Sequence, residues 1–61
     1  MNMATYRNWI ENKLQKRMVW YPMQVGVQDC RAVYEIEFED GEKRFYHINF
    51  EKEDITEIER R

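Results

Sequence analysis

The stretch Ala32-Val33-Tyr34-Glu35-Ile36-Glu37-Phe38-Glu39-Asp40-Gly41-Glu42-Lys43-Arg44-Phe45-Tyr46-His47-Ile48-Asn49-Phe50 decides the fold. Residues 32–39 alternate, with Tyr34, Ile36 and Phe38 on one side and Glu35, Glu37 and Glu39 on the other, the period of a half-buried strand. Asp40-Gly41 supplies a turn, and residues 43–50 repeat the alternation through Tyr46, Ile48 and Phe50. Register follows from asking which pairing keeps apolar side chains together, because a slip of one residue moves a whole face into water. A three-residue loop Glu39-Asp40-Gly41, with Gly41 left-handed, pairs Phe38 with Glu42, Ile36 with Arg44, Tyr34 with Tyr46, Ala32 with Ile48 and Cys30 with Phe50. A two-residue loop sets Tyr34 against His47 and Ala32 against Asn49, which dilutes that face. The longer loop also puts Glu37 beside Lys43, Glu35 beside Phe45 and Val33 beside His47 on the opposite face.

Outward from this hairpin, Met3, Tyr6, Ile10, Leu14 and Met18 recur every three or four residues and predict an amphipathic helix over 3–18, with Asn2 as its cap. Its interior holds no Gly or Pro, and Arg7 and Glu11 are spaced to pair. Residues 18–28 mix β-branched and aromatic residues with Pro22 and Gly26, which predicts an edge strand with a bend or bulge. At the C-terminus, Ile55 and Ile58 are three apart, Asp54 can cap and Arg60-Arg61 suits a helix end. A short helical turn is expected there, with a final strand as the alternative. The expected architecture is α+β in a single small domain over 1–61: an N-terminal amphipathic helix packed on a three-stranded antiparallel sheet, with a short C-terminal helical turn.

The chain has 61 residues, 43% hydrophobic and 15% aromatic, which suits a compact fold despite a charged fraction of 36%. A net charge of −2 argues against a dedicated nucleic-acid coat. That sum conceals a split, because residues 1–31 carry five bases against two acids and residues 32–61 ten acids against five bases. Such a chain either pairs its two halves internally or shows two differently charged faces to partners. The single cysteine, Cys30, forms no intrachain disulfide, and no stretch approaches the roughly 18 apolar residues of a membrane span. A soluble protein of a reducing compartment, cytoplasmic and off the membrane, is expected.

The segments Trp20-Tyr21-Pro22-Met23-Gln24-Val25, Tyr34-Glu35-Ile36-Glu37-Phe38-Glu39-Asp40-Gly41 and Glu53-Asp54-Ile55 together resemble the strand order of Tudor and agenet domains over about 40 residues. Those domains begin with a further strand where this chain offers a helix. The resemblance implies a small barrel-like sheet.

No catalytic constellation emerges. Serine is absent, and in the preferred register Cys30 lies on the apolar face, as a buried structural residue, while His47 points away from it. One His and one Cys are too few for a tetrahedral zinc site, so neither metal nor cofactor is expected. Glu35, Glu37 and Glu39, followed by Asp40 and Glu42, form a row of negative charge spaced about 6.7 Å, offset only by Lys43 and Arg44. The bland reading is a solvated strand face; the functional one is a row that docks onto a basic cleft. Trp20 and Tyr21 are adjacent in an edge-like strand and so point to opposite faces, which exposes at least one of them as an anchor. On the helix, Trp9, Lys13, Lys16 and Arg17 form a basic flank with an aromatic, unless Trp9 simply folds over the sheet.

These features predict a small non-enzymatic binding protein that occupies a surface of a larger protein with a basic or nucleic-acid-binding cleft. By analogy of size and composition, phage-encoded inhibitors of host enzymes or defence systems share the profile. The expected partner-binding residues are Trp20, Tyr21, Glu35, Glu37, Glu39, Asp40 and Glu42, with a homodimer through the edge strand as a further use of that segment. The alternative is a small nucleic-acid-binding module that uses the helix flank or a Tudor- or SH3-like sheet. A third reading is a subunit whose core is completed by self-association.

Overall fold

A computed structural model of the chain describes residues 3–60, with side chains from Tyr6 onward. Helix α1 spans Met3–Leu14, followed by strands β1 (Met23–Gln28), β2 (Arg31–Glu37), β3 (Lys43–Asn49) and β4 (Asp54–Ile58). The strands form one antiparallel sheet in the order β1-β2-β3-β4. The α+β class holds, but the sheet has four strands rather than three, and the C-terminal segment is a strand rather than a helical turn. The expected Asn2 cap and the Met3 side chain lie outside what is described.

The central hairpin has the register that apolar clustering demands: Val33 pairs with His47, Tyr34 with Tyr46, Glu35 with Phe45, Ile36 with Arg44 and Glu37 with Lys43. Its loop is closed by Phe38 N–H to Glu42 O at 2.8 Å and Gly41 N–H to Phe38 O at 3.0 Å. Gly41 has a φ of 92°, a conformation that glycine alone adopts without strain.

Helix α1 is one turn shorter than the apolar spacing predicts. Gln15 turns left-handed (φ 57°) just past its end, and its side chain donates to Asn12 O. Met18 still reaches the core, but as extended chain bridged to Phe38 of the hairpin. Two helical side chains hold its backbone: Met18 N–H donates to Glu11 Oε2 at 2.7 Å, and Arg7 Nη2 donates to Met18 O at 2.7 Å. Satisfied this way, the segment has no need of helical hydrogen bonds.

One face of the sheet packs against α1. Ile10, Met18, Ile36, Phe38, Tyr46 and Trp9 form the buried cluster, with Tyr6, Leu14, Ile48, Phe50 and Ile55 packed around it. Phe50 anchors the aromatic part, with ring centroids 4.7 Å from Tyr6, 5.3 Å from Tyr34 and 6.3 Å from Trp9. Ile55 pairs with Ile48 and joins this core, whereas Ile58 pairs with Phe45 on the other face. A spacing of three therefore serves both faces of a strand here, one isoleucine to each, rather than one face of a helix.

The second face is not bare. Val33 and His47, adjacent in the β2–β3 ladder and pointing away from α1, are both buried. Residues 59–60 reach the β1 side of the sheet, where Gln28 Nε2 donates to Glu59 O at 2.9 Å and Arg60 Nη2 to Val25 O at 3.4 Å. Gly26 makes room for this approach, because a Cβ there would lie 2.7 Å from Arg60 Nη2. The accessible surface is 4461 Å², close to the roughly 4,300 Å² that area scaling gives a monomer of this size.

The cysteine is placed differently from expectation. Asp29 and Cys30 are the two loop residues between β1 and β2, with φ of 55° and 63°, and Cys30 is exposed. Positive φ at both central residues is the type I′ requirement of a two-residue hairpin, and it turns Cys30 out of the apolar face.

Candidate interaction surface

Between α1 and β1 the chain leaves the sheet and rejoins it. Met18 bridges Phe38 and Met23 pairs with Glu35, so five steps along one strand face three along the other. The two-residue surplus makes the segment Trp20-Tyr21-Pro22 bow outward. Hydrogen bonds pin the near side of the bow, with Val19 N–H to Glu37 O at 2.8 Å and Glu39 N–H to Arg17 O at 3.0 Å. A bulge at Val25 gives β1 a second irregularity, consistent with the bend expected around Gly26.

The bow and the residue that follows it carry three of the exposed large hydrophobic side chains among the described residues. Trp20 is 65% exposed, Met23 60% and Tyr21 40%, whereas Val27, also exposed, pairs with Ala32 and so points to the opposite face from Met23, which pairs with Glu35. β1 is an edge strand, as the sequence predicts. Trp20, Tyr21 and Met23 line a shallow groove of about 230 Å³ together with Glu35, Glu37 and Lys43. Four of the expected binding residues, Trp20, Tyr21, Glu35 and Glu37, are thereby brought to one place. Met23 and Lys43 were not expected there; the pairing of Met23 with Glu35 and of Lys43 with Glu37 explains both.

The remaining acids are elsewhere. Glu39 sits in the hairpin loop, and Asp40 and Glu42 at the tip belong to an ion-pair network. Lys16 Nζ lies 2.7 Å from Asp40 Oδ2 and 2.6 Å from Glu42 Oε2, while Arg44 bridges Glu42 at 2.8 Å and Glu57 at 3.2 Å. Hydrogen bonds from Lys16 hold the carboxyls of Asp40 and Glu42 below their usual range, and Asp40 in turn raises Lys16. The acidic row is therefore shorter than the sequence suggests, because Lys16 joins Lys43 and Arg44 in offsetting it. The row ends at Glu37.

The helix flank is broken up by the same contacts. Trp9 is buried in the core, and Lys16 is committed to the hairpin tip with its ammonium 4.8 Å from the Phe38 ring centroid. Only Lys13 and Arg17 of that flank are exposed. Trp9 thus has no face for stacking on a base.

Among the described residues no group of three His, Cys, Asp or Glu side chains lies close enough to hold a metal ion, and no helix is long and apolar enough to cross a membrane. Compared with known proteins, the chain matches no family model, no curated protein and no solved structure. The likeness to Tudor and agenet domains rests on strand order alone.

Proposed function

We propose that this chain is a non-enzymatic binding protein that docks its Trp20–Tyr21–Met23 patch, flanked by Glu35 and Glu37, onto a basic surface of a larger protein. The observation that carries the reading is the outward bow of the edge strand, which leaves Trp20 65% exposed on a backbone pinned at both ends. An exposed Trp in a rigid setting is the side chain most often found at the centre of an interface. The adjacent carboxylates suit guanidinium or ammonium groups, which an indole face also attracts. Occupying a basic cleft in this way would block it, the action of an inhibitor. On the helix flank, the nucleic-acid reading draws support only from Lys13 and Arg17, since Trp9 and Lys16 are engaged internally.

The test begins with affinity capture from the native host, with and without nuclease, followed by titration of the recovered partner. Trp20→Ala is expected to leave the melting temperature unchanged and to weaken binding about 30-fold or more, as a central anchor does. Replacing Glu35 and Glu37 together by Gln should slow association and flatten its salt dependence. Recovery of nucleic acid alone, or a Trp20→Ala protein that binds like wild type, would overturn the proposal.

A further inference from the structure

The β2–β3 ladder stops at Val33 and His47, although β1 stays paired with β2 as far as Arg31 and β3 with β4 as far as Asn49. The two halves of the sheet therefore splay apart at this end, and a cleft of about 310 Å³ opens between them, lined by Arg31, Ala32, His47, Ile48, Asn49 and Phe50. His47 sits at its apex. The residue is 4% exposed, and its Nδ1 lies 3.1 Å from Ala32 O, where a further ladder contact would otherwise form.

A carbonyl oxygen only accepts, so the Nδ1 facing Ala32 carries a proton. The other ring nitrogen, Nε2, is buried with no partner among the described residues. A buried polar atom without a partner is uncommon and points to something absent from the protein itself. Its surroundings say what. Asn49 Oδ1 accepts Lys52 N–H at 3.0 Å, which leaves its amide NH₂ as a donor. Arg31 has a guanidinium with five N–H donors and makes no ion pair among the described residues. No carboxylate lines the cleft, and the acids nearest in sequence, Asp29, Glu51, Glu53 and Asp54, are exposed outside it. Other groups on the His47 face are Thr56, paired with it on β4, and Arg60 over Gly26 on β1. Ala32, Ile48 and Phe50 supply the apolar part of the lining.

We infer that this cleft binds a small oxyanion-bearing ligand with an apolar group, a carboxylate or a phosphate monoester. The guanidinium of Arg31 and the amide of Asn49 hold the oxyanion, His47 Nε2 takes up a proton from solvent together with the ligand and completes the donor set, and the apolar group lies against Ile48 and Phe50. The site is separate from the Trp20 patch and does not depend on the function proposed for it.

His47 is the only histidine, so its ring signals are unambiguous in a nuclear magnetic resonance titration. Benzoate, phenyl phosphate and benzyl alcohol are titrated separately into the full chain at constant pH and ionic strength. A saturable shift of the His47 signals with benzoate, phenyl phosphate or both, absent with benzyl alcohol, is expected, and the stronger acid identifies the ligand head group. Arg31→Gln, an exposed substitution with no effect expected on folding, should weaken that response about tenfold. The inference is overturned if benzyl alcohol binds as well as the acids, if neither acid moves His47, or if Arg31→Gln leaves the response unchanged. The second outcome would leave a cleft filled by water.

Discussion

Replacing Glu11 by Ala tests how the helix is tied to the sheet. The Glu11 carboxylate accepts Met18 N–H at 2.7 Å and lies 3.5 Å from Arg7 Nε, while Arg7 Nη2 donates to Met18 O. The i,i+4 ion pair alone is worth only about 0.3–0.5 kcal/mol at a half-exposed position. The bond to Met18 is the larger quantity, since a hydrogen bond to a charged group contributes about 1.5–3 kcal/mol. Met18 is fully buried, so water cannot readily replace the lost acceptor. A loss of about 2 kcal/mol is expected, against a total stability of roughly 3–9 kcal/mol for a chain this long. In a thermal scan followed by circular dichroism, that corresponds to a fall of about 8–16 °C in Tm. Glu11→Gln keeps an acceptor oxygen and should lose less than half as much. Equal losses for Ala and Gln, or a loss below about 0.5 kcal/mol for Ala, would refute the clamp.

Two further substitutions address the turns. Cys30→Gly should stabilise the protein by about 0.5–1 kcal/mol in urea unfolding, because relief of a left-handed conformation outweighs the added freedom of glycine in the unfolded chain. Lys16→Met removes the cation shared by Asp40 and Glu42. Those carboxyls titrate below their usual range when folded, so the stability they confer is full at neutral pH and disappears as pH falls through and below the usual carboxylate range. The matching contribution of Lys16, whose value is raised, disappears as pH rises through it. Unfolding free energy of the variant should therefore be lower at neutral pH and change less over the acid range, and an unchanged acid slope would remove the network from the account.

The hairpin was legible because two independent constraints, alternating apolar residues and a glycine at the turn, agree on one register. Elsewhere a single periodicity carried the reading, and it was ambiguous. Ile55 and Ile58 satisfy a helical spacing, yet a strand that buries apolar residues on both faces produces the same spacing. Met18 continues the stripe of α1, but burial can be reached by extended chain once Arg7 and Glu11 satisfy its backbone. Cys30 was misplaced because nothing in its neighbourhood announces a turn: Asp29-Cys30 lacks the glycine that usually marks type I′. That Trp20, Tyr21, Glu35 and Glu37 line one groove follows from strand pairing that the sequence pattern already favoured. That Lys16 would reach across to Asp40 and Glu42, 24 and 26 positions away, depends on where α1 crosses the sheet, which no local pattern encodes.

The same clamp bears on recognition. Association is opposed by the ordering of side chains and loops at the interface, so a segment already held in its bound shape loses less freedom on docking. Here Met18 is fixed by Glu11 and Arg7 on one side of the bow, and Met23 is fixed by pairing with Glu35 on the other. Pro22 restricts one of the few torsions left between them. Trp20 and Tyr21 are therefore held out from the sheet by interactions that involve neither ring, which separates the residues that maintain the surface from those that form it. Damage to the clamp should weaken partner binding even where Trp20 is intact, and should do so through unfolding or loosening of the bow rather than through loss of a contact. Trp20→Ala should weaken the same binding with the fold undisturbed. A surface that was merely solvated would show neither dependence.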